Sequence, residues 1–162
     1  MSKINTIKYN CASNGPGVRT AIYISGCSLK CPGCFNHEAW DYNFGDEITD
    51  ELIDTILKSI EPYYIEGLSI LGGEPMDPRN QEAVYKIVKA FREKFKTTED
   101  KTIWLWTGYS LNKNLPETDY TEAIKSMVDV IVDGPWMKGL YDPSLKFRGS
   151  SNQRILYNGV DF

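Results

Sequence analysis

The sequence predicts an α/β protein built on a mostly parallel sheet. Short apolar segments rich in branched and aromatic residues alternate along the chain with longer segments whose apolar residues recur at helical spacing. This alternation favours right-handed crossovers between parallel strands. In addition, four segments of unusual composition each follow a predicted strand. Parallel strands would bring all of these segments to one edge of the sheet, where the ligands of such sheets bind.

The first part of the chain carries two predicted strands and two predicted helices. Residues 18–25 (VRTAIYIS) are rich in branched and aromatic residues, which predicts a strand. A helix is predicted over 49–60, with Thr49 as its N-terminal cap. Residues 67–71 (GLSIL) form the next predicted strand, and a second helix is predicted between about 80 and 96.

The second part of the chain continues the alternation. Strands are predicted over 102–106 (TIWLW) and 128–132 (VDVIV), separated by a weaker helix over 121–127. The remainder is rich in loops, with a last short strand at 154–157. Because no repeat, low-complexity tract or linker interrupts the sequence, residues 1–162 are expected to form a single domain.

Composition argues against several classes of protein. The chain has 162 residues, of which 41% are hydrophobic and 25% charged, with a net charge of −4, the profile of an ordinary globular protein. The acid excess and the lack of a basic run argue against nucleic-acid binding. No apolar stretch approaches the length of a membrane span, and the N-terminus is too polar for a signal peptide. A cytoplasmic protein without a membrane role is therefore expected.

Three of the four cysteines, Cys27, Cys31 and Cys34, lie within eight residues. Their spacing, C-x3-C-x2-C, lets three thiolates of one loop converge on one metal centre, and thiolates suit iron–sulfur clusters and zinc alike. Electron-carrying clusters use four cysteines. Cys11 lies sixteen positions upstream of the triad and before the first predicted strand, so it need not reach the site. Three ligands favour a catalytic 4Fe-4S cluster with one open iron, while structural zinc or a four-cysteine carrier stays an alternative.

The other three segments supply candidate cofactor-binding residues, although each also suits a plain turn. Gly73 belongs to a glycine pair that lets backbone approach a ligand, and the adjacent Glu74 can hold a cationic amine. Thr107 follows a strand and can offer its hydroxyl or backbone to a cofactor. Asp133 follows an apolar strand, and a carboxylate buried there needs a partner, either the cofactor or a cation.

The cysteine spacing resembles that of the radical S-adenosylmethionine superfamily. An aromatic residue usually precedes the last cysteine in that superfamily, whereas this chain has Gly33 there and Phe35 just after. The resemblance implies S-adenosylmethionine bound to the open iron and cleaved by the reduced cluster to methionine and a 5'-deoxyadenosyl radical. It implies that Gly73 and Glu74 bind the methionine amino group. Gly33, Cys34 and Phe35 are expected beside the cofactor.

Longer stretches resemble one family of that superfamily, the activating proteins of anaerobic ribonucleoside-triphosphate reductases. The matching stretches are NGPG at 14–17, CPGCFN at 31–36, WLWTGY at 104–109, VDG at 132–134, DPSL at 142–145 and RGSSNQ at 148–153. The resemblance implies an incomplete, open (β/α) barrel with cluster and cofactor at the C-terminal edge of the strands. It also implies that the radical abstracts hydrogen from a glycine of the reductase large subunit. A low-potential reductant such as flavodoxin is the expected electron donor.

Alternatives to this function stay open at the level of sequence. The polar segment 148–153 is expected near the barrel mouth, where it would help to receive the reductase, but a surface loop without that role is also possible. Another small radical enzyme, such as a 7-carboxy-7-deazaguanine synthase or an activase of a different glycyl-radical enzyme, would share the cysteine triad. An electron-transfer module using Cys11 as fourth ligand is the alternative from a different class.

Overall fold

A computed structural model describes residues 2–34, 37–96 and 100–162. The strands are β1 (Lys3–Cys11), β2 (Val18–Ile24), β3 (Asp46–Glu47), β4 (Ile65–Gly72), β5 (Thr102–Trp106), β6 (Val130–Asp133) and β7 (Arg154–Tyr157). The α-helices are α1 (Asp50–Ile60), α2 (Gln81–Lys94) and α3 (Thr121–Met127). Short 3-10 helices span His37–Trp40 and Lys138–Leu140. None of the helices in the described part of the chain has the length and apolarity needed to cross a bilayer.

All seven strands form one sheet in the order β3-β1-β2-β4-β5-β6-β7. The four central strands, β2, β4, β5 and β6, are parallel. The outer strands β1, β3 and β7 are antiparallel to their neighbours. The sheet is open, with β3 and β7 at its two edges. The predicted α/β class with a parallel centre is therefore confirmed, and each strand and helix expected from the sequence is present within a few residues of its predicted bounds.

Two strands, β1 and β3, were not predicted. The expectation that Cys11 precedes the first strand is wrong, because Cys11 is the last residue of β1. The nine residues of β1 include two lysines and two asparagines, and only Ile4 and Cys11 are buried. An antiparallel strand near a sheet edge needs little apolar surface, so its alternation is weak in the sequence. Its neighbour β3 is only two residues long.

The helices cover one face of the sheet. Thr49 caps α1 by accepting a hydrogen bond from the Leu52 N–H at 3.1 Å, as its sequence position predicts. The buried sides of α1, α2 and α3 pack on alternate residues of the central strands. The main core lies here and includes Ile22, Ile24, Ile56, Ile60, Leu68, Ile70, Ile87, Phe91, Leu105 and Ile124.

The opposite face of the sheet positions the candidate site. Strand residues that alternate with the core residues lie on this face, and the register aligns Tyr23 of β2 with Leu71 of β4. Trp104 packs here against Val130, next to Trp106 of the same strand. Because the central strands are parallel, their C-terminal ends meet at one edge of this face. Those ends are followed by the cysteine loop (27–34), the GGEP segment (72–75), the TGY segment (107–109) and the DGP segment (133–135).

Candidate functional site

A cavity of about 240 Å³ lies at the C-terminal edge of the parallel strands. All three cysteines of the triad border it. Strand residues of the second face form its floor, and loop residues form its sides. The residues of the floor and sides include Tyr23, Leu71, Trp106, Trp40 and Trp136.

The structure brings together most of the residues singled out in the sequence. Cys27, Cys31, Cys34, Gly73, Glu74 and Thr107 all line the cavity. Gly33 lies in the turn between two of these cysteines, with φ of 78°, the left-handed region that glycine adopts without strain. Asp133 faces a different cavity. Phe35 lies outside the described residues.

The three thiols suit an iron–sulfur cluster by their chemistry and because they line one cavity. Cys27 is buried, and Cys31 and Cys34 are partly buried. Burial is the main cause that raises the pKa of the Cys27 and Cys31 thiols, so a cation is needed to stabilise their thiolates. Among residues 2–34, 37–96 and 100–162, no three Cys, His, Asp or Glu side chains converge on a single metal ion. In a 4Fe-4S cluster, however, each cysteine binds its own iron, so three separate thiols around one cavity fit the group.

A buried carboxylate anchors the cysteine loop from the inside of the molecule. Asp77 accepts hydrogen bonds from the hydroxyls of Ser28, at 3.2 Å, and Tyr42. It also accepts from the Arg79 N–H at 3.0 Å. Burial and the Asp77 carboxylate raise the pKa of Tyr42 to about 12, so its phenol stays a donor. This contact is not predicted by the sequence pattern, although Asp77 lies three residues after Glu74.

Glu74 is almost completely buried, with 1% of its surface exposed. Its Oε2 accepts hydrogen bonds from the Met76 N–H at 2.8 Å and the Thr107 hydroxyl at 2.7 Å. Its Oε1 accepts from the Gly108 N–H at 2.6 Å. Burial raises the pKa of Glu74 to about 7, and these three donors oppose that rise. The Thr107 hydroxyl thus joins the TGY segment to the GGEP segment.

Close packing of the backbone requires glycine, the residue without a side chain, at position 73. A Cβ atom at this position would lie 2.4 Å from the Ala39 carbonyl oxygen and 2.6 Å from that of Gly26. The Gly73 N–H donates to the Ile24 carbonyl at 2.7 Å, and the Glu74 N–H donates to the Gly26 carbonyl at 2.8 Å. The GGEP segment is therefore hydrogen-bonded directly to the chain that leads into the cysteine loop.

Asp133 has a cation partner within the protein. Arg154, which faces it across the β6–β7 pair, donates to its carboxylate through Nε at 2.9 Å and Nη2 at 2.6 Å. The Leu111 N–H donates to the same carboxylate at 2.9 Å. Arg154 is thus the partner that a carboxylate buried at this point needs, and the Asp133 side chain joins β7 to the sheet.

The RGSSNQ segment folds against the mouth of the cavity. Gln153 lines the cavity, and its Oε1 accepts from the N–H groups of Gly149, at 2.8 Å, and Ser150, at 3.1 Å. Its Nε2 donates to the Gly134 carbonyl at 3.1 Å. The segment is therefore tied to the DGP segment, and its Gln153 lies beside the cavity.

Cys11 lies at the other end of the sheet. It pairs with Arg19 near the start of β2, whereas the cysteine loop follows the end of that strand at Ile24. The five residue steps from Arg19 to Ile24 span roughly 17 Å in a strand. Cys11 is therefore too far from the triad to act as a fourth ligand of the same cluster.

The chain is similar to several known proteins. Residues 13–156 match the family described as a 4Fe-4S single cluster domain. A protein of Vibrio cholerae is 40% identical over 144 residues, which cover 88% of this chain and 89% of the relative. A protein of Escherichia coli K12 is 38% identical, with 88% and 90% covered, and one of Enterobacteria phage T4 is 37% identical, with 90% and 87% covered. All three relatives are named anaerobic ribonucleoside-triphosphate reductase-activating protein.

Proposed function

The chain belongs to the 4Fe-4S single cluster domain family and to the anaerobic ribonucleoside-triphosphate reductase-activating proteins, and on this premise we propose that it activates such a reductase. The activation consists of generating a glycyl radical on the reductase large subunit. The single observation that carries the proposal is the convergence of Cys27, Cys31, Cys34 and Glu74 on one cavity at the edge of the sheet.

Cys27, Cys31 and Cys34 hold the 4Fe-4S cluster in this proposal. When bound, the cluster supplies an open iron for S-adenosylmethionine and the electron that cleaves it to methionine and a 5'-deoxyadenosyl radical. Each of the three thiolates binds one iron of the cluster. Because Cys11 lies at the opposite end of β2, it does not bind the fourth iron, which stays open.

Glu74 orients the cofactor through its amino group. From the residues that the structure describes, its Oε2 accepts two hydrogen bonds and its Oε1 accepts one. Oε1 therefore keeps capacity for a further donor, and the ammonium group of S-adenosylmethionine suits it in charge. Gly73 contributes backbone at the same wall of the cavity. Thr107 holds the carboxylate in place, and we propose that Gly33, Cys34 and Phe35 contribute to cofactor binding.

The open sheet suits a macromolecular substrate. We assign the sheet as an incomplete (β/α) barrel formed by a single domain over residues 1–162. An incomplete barrel leaves the cavity accessible to a peptide loop of the reductase, and the segment 148–153 at the mouth helps to receive that loop. A low-potential reductant such as flavodoxin supplies the electron. The reduced thiols of the triad require a reducing compartment, for which the cytoplasm is proposed.

The test is an anaerobic activation assay. The reconstituted protein is reduced and mixed with the anaerobic reductase and S-adenosylmethionine, and the glycyl-radical signal is recorded by electron paramagnetic resonance. We expect a radical signal that is absent with Cys34→Ala and absent when the reductase glycine is replaced by alanine. Cleavage of S-adenosylmethionine without any radical on the reductase would instead favour another small radical enzyme.

A further inference from the structure

Trp136 lies in a slot between two glycines that are far apart in the sequence. A Cβ atom on Gly33, in the cysteine loop, would lie 3.1 Å from Cζ3 of the indole. A Cβ atom on Gly149, in the RGSSNQ segment, would lie 2.7 Å from Cδ1 and 2.8 Å from Nε1. The indole therefore occupies the space that side chains at both glycines would need.

The requirement at Gly149 arises from the indole itself. Gly33 has φ of 78°, which favours glycine whatever the neighbours are. Gly149 is not among the residues with positive φ, so its backbone would accept alanine. The Trp136 ring is what excludes a side chain there. The glycine of RGSSNQ is thus explained by an aromatic side chain that also touches the cysteine loop.

The chain at Trp136 is also hydrogen-bonded to the RGSSNQ segment, because the next residue, Met137, donates its N–H to the Ser150 hydroxyl at 3.2 Å. Trp136 lines the cavity as well. It therefore adjoins Gly33 of the cysteine loop, Gly149 of the C-terminal segment and the cavity at once.

We propose that Trp136 is a positioning residue for the cluster, held between Gly33 and Gly149 so that it fixes the Cys31–Cys34 turn and closes the cavity on its solvent side. Pro32 and Gly33 are exposed, so this turn has little cover of its own. The indole supplies an aromatic wall next to Gly33. The inference rests on the proposed cluster but does not require the reductase as partner.

The test measures retention of the cluster rather than activity. Trp136→Ala, Trp136→Phe and Gly149→Ala are reconstituted anaerobically, and the rate at which a chelator removes iron is recorded together with the reduction potential. We expect about a tenfold faster loss of iron in Trp136→Ala, as for other residues that orient metal ligands. Trp136→Phe should restore most of the retention. Gly149→Ala should reproduce the alanine variant, because the added methyl displaces the indole.

Gly139→Ala is the matched control, since a Cβ atom at Gly139 meets nothing within 4 Å. It should keep the wild-type rate. The double variant Trp136→Ala with Gly149→Ala should lose iron no faster than Trp136→Ala alone, because the methyl then has space. Wild-type rates and potentials in both Trp136→Ala and Gly149→Ala would overturn the proposal, as would additive effects in the double variant. Failure of the glycyl-radical assay with these differences intact would refute only the proposed partner.

Discussion

The ionisable side chains buried at the two ends of the parallel sheet include Arg19 at the N-terminal end and Glu74 at the C-terminal end. Both are almost inaccessible to water. Arg19 is surrounded by protein acceptors, while Glu74 borders a cavity. Burial of a charged side chain therefore does not by itself indicate a functional site. What distinguishes the two is whether capacity for a ligand is left after the internal hydrogen bonds are counted.

The Arg19 guanidinium lies at the N-terminal end of the parallel strands and is hydrogen-bonded to the neighbouring strands and loops. Nε donates to the Ser69 hydroxyl at 2.9 Å, and Nη2 donates to the carbonyls of Leu68, at 3.0 Å, and Thr102, at 2.8 Å. Nη1 donates to the Thr102 hydroxyl at 3.0 Å and the Pro16 carbonyl at 3.3 Å. All five N–H groups are therefore directed to oxygen atoms. Burial lowers the pKa of Arg19 to about 10, which still leaves it charged at neutral pH.

The first prediction, with the largest effect, concerns the iron content of cysteine variants. It tests whether only the C-terminal end of the sheet binds the cluster. Cys27→Ala should reduce the iron bound after anaerobic reconstitution from about four per chain to almost none, because one of three ligands is lost. Cys11→Ala is the matched control at the other end, and it should keep the full iron content and the same spectrum. Loss of the cluster in Cys11→Ala would mean that the two ends are not separate.

The second prediction concerns stability at the Arg19 end. Arg19→Met keeps much of the side-chain volume but leaves buried carbonyl and hydroxyl acceptors without donors, so the free energy of unfolding should fall by about 3 kcal/mol. Denaturant unfolding of the apoprotein measures it, and the folded fraction should still bind iron.

Lys101→Met is the control for that experiment, because Lys101 lies among the same strand starts and donates to the carbonyls of Pro62 and Ile65. Its loss of stability should be smaller than that of Arg19→Met. An Arg19→Met protein that unfolds like the wild type but cannot bind iron would contradict this prediction, because Arg19 would then serve iron binding and not stability.

The third prediction concerns the Glu74 end. Glu74→Gln keeps the shape but removes the charge, and a hydrogen bond to a charged group contributes about 1.5–3 kcal/mol. The affinity of the reconstituted protein for S-adenosylmethionine should therefore fall by about 10- to 100-fold, measured as the change in the reduced-cluster resonance on titration. Iron content should be unchanged. Unchanged affinity would show that Glu74 is as purely structural as Arg19.

The Glu74 end of the sheet was easier to predict from the sequence than the Arg19 end, for a physical reason. Cys27, Glu74 and Thr107 each follow a strongly apolar strand. Because these strands run in the same direction, their C-terminal ends bring the three residues to one edge of the sheet. Arg19 lies within a strand, and nothing in its neighbours indicates that five acceptors from loops and other strands surround it. The contacts of Asp77 with Ser28 and of Trp136 with Gly149 also join distant segments. Their partners depend on how the loops pack, which local periodicity does not encode.

The smallest expected effect is a pH dependence that only the Glu74 end should show. The pKa of Glu74 is raised to about 7 from its ordinary value of 4.5. Below pH 7 its carboxylate becomes protonated and loses its charge, so the affinity for S-adenosylmethionine should weaken by up to about tenfold per pH unit and level off above pH 7. Affinities measured from pH 6 to 8 should show this slope in the wild type and not in Glu74→Gln.

Stability should depend on pH in the opposite direction. Between pH 4.5 and 7 the folded protein holds the Glu74 proton more tightly than the unfolded chain does, so this group stabilises the fold at low pH. That contribution is lost as the pH rises through 7, and Glu74→Gln should remove it from the unfolding curves of the apoprotein. Arg19→Met should leave this difference between pH 5 and 8 unchanged, because Arg19, with a pKa of about 10, stays charged throughout. Opposite slopes for binding and stability at one residue are the sign of a charge kept for a ligand, since the fold alone favours its neutral form.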